Sequence, residues 1–177
     1  QILTIFIIVA IINAINFIDG IDGLAISAVI FFIFAFEFFA DSTSPFYNLS
    51  QIIIITLLPL YYFNYRKKNK VFLGDSGSLF LGTIVSIYTI YILSNDYIIK
   101  EKYDLNKIIY VLAILTYPII DIVRVFFIRL FRGKSPFIAD KKHIHHLLIK
   151  KFNSHKVVVL YIYLVNISIL LLLQIIF

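Results

Sequence analysis

Long apolar stretches recur along this chain from one end to the other, separated by short polar segments. A helix needs about 20 apolar residues to cross a hydrocarbon core of about 30 Å, and stretches of this size recur here. Hydrophobic residues make up 61% of the chain, against roughly 45–50% in a soluble domain. The sequence therefore predicts an all-α fold, a polytopic bundle of transmembrane helices, and excludes an ordinary soluble protein.

We predict about six membrane helices within a single membrane-embedded domain. They lie at about 1–17, 23–40, 49–64, 79–95, 107–131 and 157–177. The chain opens on Gln1 inside an apolar segment, with neither a charged n-region nor a small-residue cleavage site before it. We therefore expect a piece of a longer protein that lacks its start, and not a signal peptide. The absence of cysteine excludes disulfides and thiol catalysis.

Basic residues fall mainly in alternate loops. Of the 16 Lys and Arg residues, four lie in 66–70, nine in 124–156 and three in 100–107. An excess of Lys and Arg marks the cytoplasmic face of a membrane protein. We therefore expect the loops at 18–22, 65–78 and 132–156 to be cytoplasmic, and those at 41–48 and 96–106 to face outward. The net charge of +6 is mostly an orientation signal, and no nucleic-acid partner is predicted.

The end of the first predicted helix carries polar residues at regular spacing. Asn13, Asn16 and Asp19 are three residues apart and share one helical stripe. Asp22 follows in a repeated Asp-Gly unit with no Lys or Arg within it. Carboxylates facing lipid would be unfavourable, so we expect them to face a cavity or a partner. An ordinary helix-ending turn with solvated acids is the alternative.

A second polar segment, Val71-Phe-Leu-Gly-Asp-Ser-Gly-Ser78, precedes the fourth predicted helix. Asp75 lies there between two glycines at the membrane boundary. Its carboxylate could hold a divalent cation, or it could cap the following helix by accepting backbone amide hydrogen bonds. The two roles are compatible, because a helix N-terminus beside a bound cation also suits phosphate oxygens.

The third segment is a basic loop with three histidines, His143, His145 and His146, preceded by Arg132. Clustered histidines suggest zinc, but this spacing without cysteine or a nearby carboxylate ligand is a weak zinc signature. The surrounding Lys and Arg residues favour contact with a phosphate or a sugar, and a merely solvated loop remains open. On the preceding helix, Asp121 and Arg124 are spaced to pair on one face, and Pro118 is placed to kink it.

These polar groups converge on the predicted cytoplasmic side. Oxygen ligands of this kind suit Mg²⁺. Carboxylates, a hard cation and basic residues together suit phosphoryl transfer from a nucleotide, in which catalysis is mainly positioning and charge neutralisation. A soluble nucleotide would arrive from the cytoplasm while a lipid phosphate approaches from the leaflet.

Three segments in order resemble the polyprenyl-phosphate N-acetylhexosamine-1-phosphate transferases, in the branch that uses undecaprenyl phosphate and UDP-GlcNAc. They are Asn13-Ala-Ile-Asn-Phe-Ile-Asp-Gly-Ile-Asp-Gly-Leu-Ala25, Val71-Phe-Leu-Gly-Asp-Ser-Gly-Ser78 and Ser135-Pro-Phe-Ile-Ala-Asp-Lys-Lys-His-Ile-His-His146. The resemblance implies an enzyme that transfers a sugar 1-phosphate, GlcNAc 1-phosphate for this branch, from a UDP-N-acetylhexosamine to undecaprenyl phosphate. The products are the lipid diphosphate sugar and UMP, and the reaction initiates synthesis of a cell-envelope glycan such as lipopolysaccharide or teichoic acid.

The resemblance also implies roles for individual residues. Asn16 and Asp75 match ligands of Mg²⁺, with Mn²⁺ as an alternative metal, and Asp19, Asp22 and Asp75 match catalytic positions. The expected substrate-binding residues are Asn13, Asn64 and Phe72, the last two near the uridine, with Arg132, His143, His145 and His146. A bacterial inner-membrane enzyme with a cytoplasmic active site is implied, and related enzymes suggest a homodimer.

One feature of the family is missing. An Asp-Asp pair in an earlier cytoplasmic loop is absent here, and we expect it, with several helices, in a missing N-terminal half. Whether Asp19 acts as a base is therefore open, because that pair competes for the role and the lipid phosphate is already ionised near pH 7. A transporter of a sugar or lipid-linked sugar is a rival hypothesis, although transporters usually bind near the bilayer midplane. An inactive family fragment is a second rival.

Overall fold

The computed structural model describes residues 1–103, 106–133 and 143–176. In these ranges it confirms the all-α fold, with eight α-helices and one turn of 3₁₀ helix at Glu101–Tyr103. The helices are α1 (Ile2–Ile18), α2 (Leu24–Phe39), α3 (Tyr47–Asn64), α4 (Gly74–Leu93), α5 (Lys107–Ile114), α6 (Thr116–Phe131), α7 (Ile144–Phe152) and α8 (His155–Ile176).

The predicted helix at 107–131 is broken, which corrects the sequence-based helix count. α5 and α6 meet at Leu115 with a bend of 77°. Pro118 lies in the first turn of α6, where its ring nitrogen has no N–H to donate to the carbonyl of Ile114. The 132–156 loop also contains a helix, α7, that apolar periodicity did not predict.

Helix length bounds how many of these elements cross a bilayer. In the described residues, α4 and the His155–Gln174 part of α8 are long and apolar enough, and the bent α5–α6 pair makes a third span if it is counted as one. α1 and α2 are apolar but have only 17 and 16 residues, about 25 Å of helix at 1.5 Å per residue. The chain is thus an integral membrane protein, although these lengths support fewer full spans than the six predicted.

The loops sort to opposite ends of the bundle, as the distribution of basic residues predicts. At one end, Ala40 and Ile99 form an isolated antiparallel bridge, and the Asp41 amide donates to the Ile98 carbonyl. At the other end, the 18–22 turn, the 65–78 loop and the start of α8 make the contacts described below. The first two site segments therefore lie at the same end of the bundle.

The interior between the two ends is apolar and aromatic. Fully buried side chains include Phe32, Phe36, Tyr88 and Tyr97, and Phe36 contacts Tyr88 and Tyr97 at ring-centre distances of 4.8 and 5.0 Å. Many apolar side chains point outward, as expected for surfaces that contact lipid. The polar loops at the end of the bundle are therefore supported by an apolar interior.

Candidate functional site

The antiparallel pair α1 and α4 brings the first two sequence segments together. Gly82 of α4 packs on Ile12 of α1 so closely that an added Cβ would lie 2.8 Å from the Ile12 Cα. One helical turn further on, the Asn16 side-chain amide donates to Ser78 Oγ at 2.8 Å and to Asp75 Oδ1 at 3.5 Å. The close contact at Gly82 therefore sets the register that places Asn16 beside Asp75.

Asp75 does not cap α4. The helix begins at Gly74, its N-cap position is Leu73, and no side chain caps it. Asp75 lies in the first turn with an exposed side chain, and the Ser78 hydroxyl donates to the carbonyls of Gly74 and Asp75. The N-cap prediction is therefore wrong, because the helix starts one residue before Asp75 instead of after it.

Asp19 lies at the C-terminal end of α1, between the other two acids. Burial, and then the negative charges of Asp75 and Asp22, raise the pKa of Asp19 from 3.8 to about 7. A buried carboxyl group whose pKa is raised by two neighbouring carboxylates is an arrangement that a bound cation would stabilise. The described residues contain no cluster of three or more His, Cys, Asp or Glu with the geometry of a metal site, so a metal here would need Asn16 as well.

Asp22 has two basic partners that sequence reasoning missed. Lys70 Nζ lies 2.6 Å from Asp22 Oδ1, and His155 Nδ1 lies 3.0 Å from Asp22 Oδ2. Lys70 ends the basic run before the second segment, and His155 begins α8. Only the proximity of Lys70 to a predicted site segment could have suggested the first contact.

Asn64 links the first two segments through hydrogen bonds of its side chain. Its side-chain oxygen accepts the Gly23 N–H at 2.6 Å, and its side-chain amide donates to the Val71 carbonyl at 2.8 Å. The residue is buried, so in this structure it positions the two segments. Phe72 is 70% exposed, and Lys70 Nζ lies 4.7 Å from its ring centre, which leaves an open aromatic face beside a cation.

The start of α7 is anchored to α6 by a buried carboxylate. Asp121 is fully buried, its Oδ2 lies 2.6 Å from His143 Nδ1, and its Oδ1 accepts the Ile144 N–H at 2.6 Å. Both oxygens are thus engaged by the third segment, and the pairing with Arg124 that the spacing suggests stays a prediction. Asp121 and His143 are 22 residues apart in sequence, so helical spacing could not predict this contact.

His145 joins the third segment to the first. Its Nδ1 hydrogen bonds with the Tyr117 hydroxyl at 2.9 Å, and its ring packs on Gly20, where an added Cβ would lie 2.4 Å from Nε2. Burial and the neighbouring His146 lower the pKa of His145 from 6.5 to about 3, so the ring is neutral at pH 7. His145 is completely buried and Nε2 has no hydrogen-bond partner in the described part of the chain.

The other predicted substrate-binding residues are less closely joined to the acids. The His146 ring lies 4.4 Å from that of His145, Arg132 is exposed at the end of α6, and Asn13 donates to the Val9 carbonyl one turn back in α1. Residues 135–142 of the third segment lie outside the described residues. The substrate contacts assigned to all these positions stay predictions.

The fold and this site define an integral membrane protein with an acidic centre at the ends of its helices. The chain belongs to glycosyl transferase family 4, whose family model matches residues 1–93 and thus the first two segments. The third segment lies beyond the matched residues.

Three curated relatives illustrate the similarity. A Haemophilus influenzae protein named undecaprenyl-phosphate alpha-N-acetylglucosaminyl 1-phosphate transferase is 34% identical over 71% of this chain and 35% of its own length. A Bacillus subtilis protein named probable undecaprenyl-phosphate N-acetylglucosaminyl 1-phosphate transferase is 39% identical over 67% of this chain and 31% of its own length. A Mycobacterium leprae protein named decaprenyl-phosphate N-acetylglucosaminephosphotransferase is 34% identical over 54% of this chain and 25% of its own length.

The chain spans about a quarter to a third of the length of these relatives. No solved structure matches it at a significant level.

Proposed function

We propose that the protein transfers N-acetylglucosamine 1-phosphate from UDP-N-acetylglucosamine to a polyprenyl phosphate, releasing UMP. The observation that carries this proposal is the convergence of Asp19, Asp22 and Asp75 with Asn16 at the ends of membrane helices. The names of the relatives, which specify polyprenyl phosphates and N-acetylglucosamine, support the same substrates. Such a reaction would begin assembly of a lipid-linked glycan.

The reaction exchanges one phosphoanhydride bond for another. An oxygen of the lipid phosphate attacks the sugar-linked phosphorus of the donor, and the bond from that phosphorus to the bridging oxygen breaks. The bridging oxygen leaves with UMP. The attacking phosphate is already ionised near neutral pH, so the protein's main tasks are to align the two phosphates and to neutralise their charges.

The residues present fit a magnesium ion, with manganese as the alternative. The carboxylates of Asp19 and Asp75 and the side-chain oxygen of Asn16 are the hard oxygen donors that such ions prefer. Asn16 donates through its nitrogen, which leaves its oxygen available as a ligand. When bound, the ion would neutralise charge on the donor diphosphate and on the departing UMP.

Donor recognition falls to the groups beside the acids. Lys70 lies between Asp22 and the ring of Phe72, so it can meet a phosphate while the exposed ring offers a face for the uracil base. We assign His145 a positioning role, because its neutral and buried ring holds the first segment against α6. His143 is positioned in turn by Asp121.

We further propose that this end of the bundle faces the cytoplasm of a bacterium and that the protein resides in the inner membrane. Thirteen of the 16 Lys and Arg residues lie in the two stretches 66–70 and 124–156, which hold or flank loops at this end. A UDP-sugar donor would reach the acids directly from that side.

The test is UMP release by the protein expressed from its complete reading frame, with undecaprenyl phosphate and Mg²⁺ and a panel of UDP-sugars. We expect release with UDP-N-acetylglucosamine that requires the lipid, together with a lipid-linked sugar diphosphate. Release with a different UDP-hexosamine would change the donor only. If a folded protein releases no UMP with any donor but moves labelled sugar across vesicles, the transporter hypothesis is favoured.

A further inference from the structure

A cavity lined by aromatic and basic side chains lies on the side of the bundle, between the C-terminal end of α3 and the start of α8. Its volume is about 380 Å³, and it is lined by Leu58, Tyr61, Tyr62, Tyr65, Arg66 and Lys156. Tyr65 forms its inner wall, since its hydroxyl contacts Gly23 at the acidic turn while Lys156 lies over its ring. The cavity is therefore next to the acidic centre but is formed by different side chains.

The two cations of this cavity are held by aromatic rings. Arg66 lies 5.7 Å from the ring centre of Tyr62, and Lys156 Nζ lies 5.4 Å from that of Tyr65. Among the described residues, Lys70 pairs with Asp22, whereas neither Arg66 nor Lys156 forms an ion pair. Two positive charges and three phenol groups thus face one cavity without a carboxylate to neutralise them.

The walls above the cavity suit lipid chains. Leu58 on α3 is 55% exposed and Leu160 on α8 is 61% exposed, and both helices present further apolar side chains outward. An occupant that satisfies both features has an anionic head and apolar tails. Basic pockets between membrane helices, close to the membrane surface, are suited to anionic lipid head groups, and the Arg fork suits phosphate oxygens.

We propose that this cavity binds the head-group phosphate of an anionic phospholipid, with Arg66 and Lys156 as the phosphate ligands. The exposed Tyr62 hydroxyl can donate to the same head group. The proposal is independent of the transfer reaction, because it needs neither the acids nor a nucleotide.

The test compares lipid retention by native mass spectrometry of the protein from its complete reading frame, after exchange into equal mixtures of phosphatidylglycerol and phosphatidylcholine. The test variant is R66Q/K156Q. The matched control is K67Q/K68Q, which removes two charges from the same end without altering a lining residue. If each lining cation contributes roughly fivefold, the test variant should lose about 25-fold of its phosphatidylglycerol preference. The control should lose less, because Lys67 and Lys68 do not line the cavity.

Two outcomes would overturn the proposal. Equal losses in both double variants would mean that the surface charge as a whole, and not the cavity, attracts the lipid. Displacement of the bound lipid by millimolar inorganic phosphate would mean a site for free phosphate. If R66Q/K156Q does not fold, the single variants R66Q and K156Q are measured against K67Q, and each should lose about fivefold.

Discussion

Gly82 of α4 lies directly against the backbone of Ile12 of α1, and one turn along the same pair of helices Ser78 accepts a hydrogen bond from Asn16. Small residues at such crossings let helix backbones approach closely in membranes. The acidic centre is therefore built on the packing of two apolar helices. A contact inside the bundle controls the separation of Asn16 and Asp75 at its end.

Gly82→Leu is expected to separate α1 from α4. Any Cβ at this position meets backbone atoms of Ile12, which cannot rotate away, and overpacking of this kind typically costs about 1–3 kcal/mol. We expect a lower melting temperature in detergent and weaker metal binding. Thr83→Leu is the control, because its side chain is exposed one position further along α4. Equal effects from both changes would contradict a specific helix contact.

Gly20→Ala is expected to conflict with the His145 ring, which is pinned by Tyr117 and completely buried. The melting temperature should fall, and part of the loss should disappear when His145→Ala removes the ring. A double-mutant cycle measures this coupling, which should be about 0.5–3 kcal/mol for residues in contact. Additive effects would show that the two residues do not meet.

The neutral state of His145 predicts a pH dependence of stability. Its folded pKa of about 3 lies below its unfolded value of 6.5, so between these values only the unfolded chain binds the proton. The contribution of the neutral His145 ring to the free energy of unfolding is therefore complete above pH 6.5 and is lost as the pH falls toward 3. The expected loss is about 2 kcal/mol by pH 5. Thermal unfolding at pH 7.5 and pH 5 checks this, and in His145→Gln the pH-dependent difference should shrink by that amount.

Asp121→Asn is expected to loosen the start of α7, since it replaces one of the two oxygens that hydrogen bond with His143 and with the Ile144 N–H. Leaving one partner of a buried hydrogen bond unsatisfied costs about 1–3 kcal/mol. Hydrogen exchange of the α7 amides should increase more than exchange in α4. Asp96→Asn, at an exposed position, should change hydrogen exchange neither in α7 nor in α4. Unchanged exchange in α7 would remove Asp121 from its anchoring role.

Local patterns predicted much of this molecule. Hydropathy located the helices, and the Lys and Arg distribution assigned the loops to two ends, because both depend on residues close in sequence. Helical spacing placed Asn13, Asn16 and Asp19 on one stripe, and α1 contains the first two with Asp19 at its C-cap.

The contacts that join the segments did not follow. Asp121 with His143 and Lys70 with Asp22 are separated by 22 and 48 residues, so they depend on how the helices pack. Pro118 predicted a kink in the helix at 107–131, but the size of the bend at Leu115 did not follow, because apolar composition continues through it. The helix α7 was not predicted, because basic residues flank its short apolar stretch.

The central claim is that Asp75 belongs to a site for lipid-dependent sugar-phosphate transfer. The most direct measurement is UMP release from UDP-N-acetylglucosamine with undecaprenyl phosphate and Mg²⁺, by Asp75→Asn and by Asp41→Asn. Both acids are exposed, but Asp41 lies at the opposite end of the bundle. We predict that release disappears in Asp75→Asn, with its melting temperature unchanged, and persists in Asp41→Asn. Normal release by Asp75→Asn would contradict the account.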